Sequence, residues 1–261
     1  MKTLRKIAKT NAVWAVVAAG ILILIWHIAC VAVGNEYIIP SIGDTLFQFF
    51  ALFGDGKFYS ALGNTLLRTL ASFAVSFALA AVFAAVSAVC RQFRATFACI
   101  ISVVRTLPTM AITLILLIWT SPRVAPSVVT ALVIFPMVYS QFMAAADGVD
   151  GNLIEMAKVY RVSTKDRLTK IILPAVAPEV VAQVGAGLSL GLKVMVSAEV
   201  LSYTLGSLGG MMQQARLFAE MPLFAALTLM CILIGLILEL LSALLRRYIG
   251  RWMVKEGSDA H

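Results

Sequence analysis

Long stretches without a charged residue constrain this chain more than any other feature of its sequence. Residues 10–35, 69–90 and 124–146 contain no Asp, Glu, Lys or Arg. A helix rises about 1.5 Å per residue, so roughly 20 apolar residues cross a hydrocarbon core, and each stretch is long enough. Charged residues make up 13% of the chain, against about 25% in soluble domains, so a soluble core of buried helices is excluded. The sequence predicts an all-α protein that crosses a membrane several times.

The apolar pattern predicts about six transmembrane helices, in one domain that covers residues 1–261. The predicted spans are 11–34, 64–90, 106–121, 124–146, 178–204 and 222–245. The connecting loops are 35–63, 91–105, 122–123, 147–177 and 205–221. Because the third span is short between its flanking arginines, residues 91–105 are expected to lie partly in the membrane interface.

Basic residues predict the orientation of these spans. With the N-terminus inside, the cytoplasmic segments hold 16 Lys and Arg, and the opposite side holds 3. The 16 are Lys2, Arg5, Lys6, Lys9, Arg91, Arg94, Arg105, Lys158, Arg161, Lys165, Arg167, Lys170, Arg246, Arg247, Arg251 and Lys255. The positive-inside rule then places both termini in the cytoplasm. The net charge of +8 follows from this distribution and does not indicate a nucleic-acid partner.

The loop 147–177 has a helical pattern of its own. Apolar residues recur at three- and four-residue steps from Asn152 to Tyr160, and Asn152 with Glu155 three residues later predicts a capping box. Ser163 or Thr164 is expected to cap a second short helix that Pro174 ends. A solvated connector needs no apolar face, so the pattern favours a docking surface for a cytoplasmic partner.

The same loop resembles the "EAA" loop of permease subunits of binding-protein-dependent ABC importers. Glu155-Met156-Ala157, Ile171 and Leu173-Pro174 match that pattern at its spacing. Met156 stands where the family has Ala, and Arg161 stands where it has a Gly that eases a sharp turn. The resemblance implies that this loop is the coupling helix, which sits in a groove of the ATPase subunit.

Other segments resemble the nitrate/sulfonate/taurine-type permeases in the same order along nearly the whole chain. They are Ile39-Pro40-Ser41, Asn64 to Arg68, Arg105-Thr106-Leu107-Pro108, Leu208-Gly209, Ile234-Gly235, and the tail of Arg246-Arg247 with Arg251-Trp252. The resemblance implies a type I importer permease in the bacterial inner membrane that forms the solute path as a homodimer in lipid. It also implies two kinds of partner, ATP-binding cassette subunits and a periplasmic or lipid-anchored substrate-binding protein. The implied solute is a small organic or inorganic anion or another small nutrient.

No catalytic or metal-binding set accompanies these features. Gly187-Leu188-Ser189-Leu190-Gly191 matches the G-x-S-x-G elbow of serine hydrolases, but it lies in an apolar helix, and the only histidines are His27 and His261. Together with Gly185, these glycines are expected to let helices approach closely. No Walker A motif is present, so no cofactor is expected on this chain, and ATP is expected on a separate subunit.

Two charges, Lys193 and Glu199, lie inside the fifth predicted span. Charged side chains within a membrane usually face a bundle interior or a water-filled path, so both are candidates for the translocation pathway, and a structural role is equally open. Six residues separate them, so they point to different helix faces. The alternative function is a secondary transporter that works without an ATPase, and this alternative predicts repeats and intramembrane ion sites.

Overall fold

The computed structural model describes residues 2–258, and the regular elements in that range are all helices. They are α1 (Lys2–Val33), α2 (Ile42–Ala51), α3 (Gly56–Val89), α4 (Arg91–Thr106), α5 (Thr109–Trp119), α6 (Ala125–Asp147), α7 (Gly151–Val159), α8 (Thr164–Asp166), α9 (Leu173–Ser202), α10 (Leu208–Leu217) and α11 (Met221–Ser258). A 3₁₀ turn, Leu52–Gly54, follows α2, and a π-helix, Arg167–Ile172, precedes α9. For the basic residues at the two chain ends, which enter the charge count, the structure describes the backbone but not the side chains.

Four of these helices have segments long and apolar enough to cross a membrane, namely Gly56–Val89, Ala125–Asp147, Gln183–Ser202 and Met221–Leu244. A fifth candidate is the pair α4 and α5, which bends by 91° at its break. Within α1, Val17–Val33 forms a shorter apolar segment. The prediction of an all-α polytopic membrane protein is therefore confirmed, with four or five candidate spans among the described residues against about six predicted.

The described residues divide into two compact units, and the single domain over residues 1–261 stays a prediction. The first unit holds the residues up to 55 together with 212–230. In it, the indole N–H of Trp26 on α1 donates to the carbonyl of Pro40 at 3.2 Å. The Ser41 hydroxyl accepts the backbone N–H of Asp44 at 3.1 Å and donates to the Asp44 carboxylate at 2.5 Å, so Ser41 is the N-cap of α2.

The second unit holds residues 56–211 and those from 231 onward, and α3, α6 and α9 pack together at its centre. Hydroxyls join α3 to α6, because Ser72 donates to the carbonyl of Ser127 at 3.0 Å and Ser76 donates to that of Ala131 at 2.9 Å. Interhelical bonds of this kind stabilise helix pairs in lipid, where the hydrophobic effect between helices is lost.

Glycines bring α9 close to its neighbours, as the sequence predicts. A Cβ on Gly191 would lie 2.8 Å from Ile134, and one on Gly187 would lie 2.8 Å from the ring of Phe73. On Gly185 it would lie 1.7 Å from the Ser242 hydroxyl of α11. The G-x-S-x-G sequence is thus a helix-packing feature, and Ser189 within it is buried.

Several predicted boundaries are wrong. The predicted span 106–121 contains only the 11 residues of α5, because Pro108 ends the preceding helix. The predicted loops 35–63 and 205–221 contain the helices α2 and α10. Each has 10 residues, which is too short for the apolar length that identifies a membrane span. Pro174 does not end a helix: it is the second residue of α9, which follows directly on the π-helix Arg167–Ile172.

Candidate functional site

The segment between α6 and α9 begins with a cap that the sequence analysis misplaced. The Asp150 carboxylate accepts the backbone N–H of Asn152 at 2.9 Å, and the Asp150 carbonyl accepts the N–H of Leu153 at 3.1 Å. Asp150, not Asn152, therefore caps α7. The predicted cap fails because α7 begins at Gly151, which leaves Asn152 inside the first turn.

Arg161 forms the turn for which the ABC permease pattern uses glycine. Its φ is 50°, in the left-handed region. The next N–H, of Val162, donates to the carbonyl of Ala157 at 2.9 Å, which is the long bond of a Schellman motif. A non-glycine residue is disfavoured in this region by about 1–2 kcal/mol, so Arg161 adopts the turn conformation at a local cost in free energy.

The second short helix starts as the sequence predicts. The Ser163 hydroxyl accepts the backbone N–H of Asp166 at 3.1 Å and donates to its carboxylate at 2.7 Å. Lys170 lies 2.8 Å from the Asp166 carboxylate, and this bond, followed by that from Ser163, holds the pKa of Asp166 below its usual value. The helix then widens into the π-helix Arg167–Ile172, which continues directly into α9.

α7 turns one apolar side inward and leaves another uncovered. Ala157 is 2% exposed, whereas Met156, Val159 and Tyr160 are 48%, 79% and 76% exposed. These three side chains, which we call the α7 stripe, stand at three- and four-residue spacing on one helix face. Glu155 beside them is exposed. Of the remaining pattern residues, Ile171 is half-buried in the π-helix, and Leu173 and Pro174 are exposed at the start of α9.

Glu199 lies at the end of α9 and is fully buried. One carboxylate oxygen, Oε2, accepts the Thr65 hydroxyl at 2.9 Å and the backbone N–H of Gly209 at 3.3 Å. The other, Oε1, lies 3.3 Å from Nη1 of Arg68, whose side chain is 21% exposed. Arg68 of α3 thus neutralises the charge of Glu199. The same carboxylate links the start of α10 to α3 and α9.

The chain after α9 is held to α3 by further bonds around this carboxylate. The backbone N–H of Leu208 donates to the Thr65 hydroxyl at 3.0 Å, and the side-chain amide of Asn64 donates to the carbonyl of Gly206 at 2.9 Å. A Cβ on Gly209 would lie 2.4 Å from the Cβ of Glu199, so the backbone approaches too closely for a larger residue. Sequence reasoning missed this arrangement, although Arg68 and Glu199 are charges inside spans that need a partner.

Lys193 lies apart from Glu199, as their spacing predicts. It is exposed and lines a cavity of about 380 Å³ between α5 and α9. Thr109, Thr113 and Ser197 also line this cavity, and the hydroxyls of Thr113 and Ser197 donate to the carbonyls of Thr109 and Lys193 in their own helices. The two charges therefore occupy different environments, a buried ion pair for Glu199 and an open, hydroxyl-lined cavity for Lys193.

Comparison with known proteins identifies the family of this chain. Residues 78–255 match the family described as the binding-protein-dependent transport system inner membrane component. The chain belongs to this family. It is the permease component of an ABC importer, and its apolar helices place it in the membrane as a multi-pass protein.

The permease is also similar to individual proteins over most of its length. It is 23% identical to the Bacillus subtilis protein named "Putative aliphatic sulfonates transport permease protein SsuC", over 89% of this chain and 85% of that protein. Its fold matches a solved bacterial ABC transporter involved in the import of the acidic polysaccharide alginate. In that match the TM-score is 0.66 and the identity 17%, with 95% of this chain and 99% of the other covered. A second solved structure, of a bacterial alginate ABC transporter in complex with an alginate pentasaccharide-bound periplasmic protein, matches with a TM-score of 0.64 and 16% identity. The match covers 90% of this chain and 95% of the other.

Proposed function

We propose that the segment 147–177 is the coupling element of the permease and that the α7 stripe docks on an ATP-binding cassette subunit. The residues assigned to this role are Glu155, Met156, Ala157, Arg161, Ile171, Leu173 and Pro174. The observation that carries the proposal is the exposed apolar face of α7, because Val159 and Tyr160 are 79% and 76% exposed on a segment too short to span a membrane. An amphipathic helix of this kind fits a groove on a partner.

The rest of the importer follows from the same assignment. ATP binds and is hydrolysed on the partner subunit, and the permease itself is not an enzyme. A periplasmic or lipid-anchored binding protein delivers solute to the opposite side, at 35–63 and 205–221. The solved alginate transporter with its periplasmic protein supports a partner of that type. Two copies of the permease surround the solute path in the lipid bilayer. ATP drives transport only if the ATPase binds one orientation of the helices more tightly than the other.

Both termini of the permease lie in the cytoplasm under this proposal. The basic residues of the segment 147–177 then face the ATPase, in agreement with the positive-inside rule. Arg105 lies beside the break in the bent α4–α5 pair, so we remove it from the 16 cytoplasmic bases, which leaves 15 against 3. The bias keeps its direction and still supports the orientation.

Lys193 and Glu199 have different roles in this proposal. Lys193 lines the solute pathway, because it is exposed in a cavity with hydroxyl groups. Glu199 positions the chain after α9 through its bonds to α3, and it affects transport through that structure. The solute is a small organic or inorganic anion or another small nutrient, and the sulfonate-transport name of the Bacillus subtilis relative supports the first class.

The test is a charge reversal at Glu155 combined with two readouts. Glu155→Lys is expected to reduce solute uptake and the amount of ATPase that copurifies with the tagged permease by at least about tenfold, while membrane insertion is unchanged. Glu36→Lys is the matched control for ATPase copurification alone, since Glu36 is also exposed but lies in 35–63, outside the coupling segment. Wild-type uptake and copurification in Glu155→Lys would remove the coupling assignment.

A further inference from the structure

Within the second unit, α4 lies along the second half of α6, although α5 separates the two helices in the chain. At one end, Arg94 of α4 binds Asp147, the last residue of α6. At the other end, the Arg105 guanidinium donates to the carbonyl of Pro136 at 3.2 Å. The two contact positions are 11 residues apart on each helix, about 16 Å at 1.5 Å per residue. The helices are therefore antiparallel and joined at both ends of this stretch.

The contact between Arg94 and Asp147 is a bidentate ion pair. Nη1 of Arg94 donates to Oδ1 of Asp147 at 2.8 Å, and Nη2 donates to Oδ2 at 2.6 Å. A guanidinium that binds both oxygens of a carboxylate fixes the orientation of the two groups as well as their distance. The side chains are 43% and 53% exposed, and exposed pairs contribute little to the free energy of unfolding. The pair therefore positions α4 more than it stabilises the fold.

Apolar packing between these two ends joins α4 to the segment 147–177. Phe97 of α4 is buried in a hydrophobic cluster with the second half of α6, where its ring meets that of Tyr139 edge-on with 5.1 Å between centroids. Val149 and Ile172, which lie before α7 and at the end of the π-helix, pack against the same cluster. α4, the end of α6 and two parts of the segment thus share one core.

The other end of α4 leads to the cavity that contains Lys193. α4 ends at Thr106, and after Leu107 and Pro108 the chain turns by 91° into α5. Thr109, the first residue of α5, lines that cavity. Because only two residues join the helices, a displacement of α4 moves the start of α5 and changes the wall of the cavity.

We propose that Arg94 and Asp147 are positioning residues for transport, because their ion pair makes α4 follow the coupling segment and so carries its movement to α5. The inference rests on the proposed function, since it needs the segment 147–177 to move with the ATPase. Rigid elements joined by packed side chains and ion pairs transmit a movement of this kind. Neither residue is among the pattern residues from Glu155 to Pro174, so the pair acts apart from the ATPase contact.

Hydrogen exchange in the assembled importer tests the proposal. The full-length permease is reconstituted in nanodiscs with its ATPase and binding protein, and deuterium uptake is measured by mass spectrometry without nucleotide and after trapping with Mg-ATP and orthovanadate. Trapping is expected to change deuterium uptake in α7 and at the start of α5. A response of α7 without one of α5 overturns the proposal and leaves the coupling assignment standing. No response of α7 removes the coupling assignment and this inference with it.

Charge reversals test the ion pair itself. Arg94→Asp and Asp147→Arg each replace an attraction by a repulsion, so each is expected to reduce the α5 response to less than about one third of the wild-type value. The double variant restores opposite charges and is expected to regain at least about two thirds of the response. Arg91→Asp, which reverses an exposed charge three residues earlier in α4, is expected to respond like the wild type. A wild-type α5 response in both single reversals, or no recovery in the double variant, overturns the proposal.

Two further readouts separate transmission from folding and docking. Deuterium uptake of α3 without nucleotide is expected to match the wild type in both reversals, because Asp suits the first turn of α4 and Arg suits the end of α6. ATPase copurification and the α7 response are also expected to be unchanged, because the α7 stripe is intact. Loss of the α5 response alone supports the proposal. Faster exchange throughout α3 in both reversals shows a structural role only and overturns it.

Discussion

Arg68 and Glu199 form an ion pair, with 3.3 Å between Nη1 and Oε1, although they are 131 residues apart in the chain. Glu199 is fully buried, and its other oxygen accepts the Thr65 hydroxyl and the N–H of Gly209. A buried carboxylate is stable only with such partners, so the pair fixes where the end of α9 meets α3. The chain that leaves α9 is positioned by one charge and its three donors.

Removal of either partner is predicted to destabilise the permease. Arg68→Ala leaves a buried charge without its partner, and Glu199→Ala leaves buried donors unsatisfied, so each is expected to lower the free energy of unfolding by about 3 kcal/mol. The double variant is expected to lose less than the sum of the two, because the residues share one interaction. The free energies of unfolding in detergent give this double-mutant cycle, with Lys193→Ala as the control at an exposed position. Strictly additive losses would contradict the ion pair.

Glycine at position 161 is predicted to stabilise the turn after α7. Arg161 has a φ of 50°, which favours glycine. Arg161→Gly is therefore expected to stabilise the turn by about 0.5–1 kcal/mol, a net value that includes the larger entropy of glycine in the unfolded chain. Hydrogen exchange of the Val162 N–H, which donates to Ala157, measures the change. The same substitution at Arg167, in the helical backbone six residues later, is expected to destabilise by about 1 kcal/mol. Faster exchange at Val162 in Arg161→Gly would show that the turn is not strained.

A methyl group at position 209 is predicted to disturb the Glu199 site. A Cβ on Gly209 would lie 2.7 Å from both the carbonyl of Val196 and the N–H nitrogen of Val200, and backbone atoms cannot rotate away. Gly209→Ala is therefore expected to cost about 1–3 kcal/mol, measured by thermal unfolding in detergent. Gly63→Ala is the control, since nothing lies within 4 Å of a Cβ there and α3 is helical at that position. Equal unfolding temperatures for the two variants would contradict the close approach.

The sequence predicts the parts of this fold that depend on local pattern. Apolar length finds α3, α6, α9 and the first part of α11, and the Glu155 to Pro174 spacing finds the coupling segment, because both are properties of consecutive residues. The partner of Glu199 is not predictable in this way, since Arg68 is brought to it by the packing of α3 on α9. Neither is the hydrogen bond from Arg105 of α4 to the carbonyl of Pro136 in α6, since its partners are 31 residues apart in the chain. The start of α2 is a different case, because Ser41 with Asp44 three residues later is a helix N-cap signal that the local sequence does contain.

The most direct test of the account is a photo-crosslink at the α7 stripe. Tyr160 and Tyr37 are 76% and 72% exposed, so p-benzoylphenylalanine can replace either with little change to the fold. After irradiation of the assembled importer, we predict a covalent adduct between position 160 and the ATPase subunit and none from position 37. An ATPase adduct from position 37, or its absence from position 160 in a complex that still copurifies with the ATPase, would contradict the claim that this segment carries the coupling.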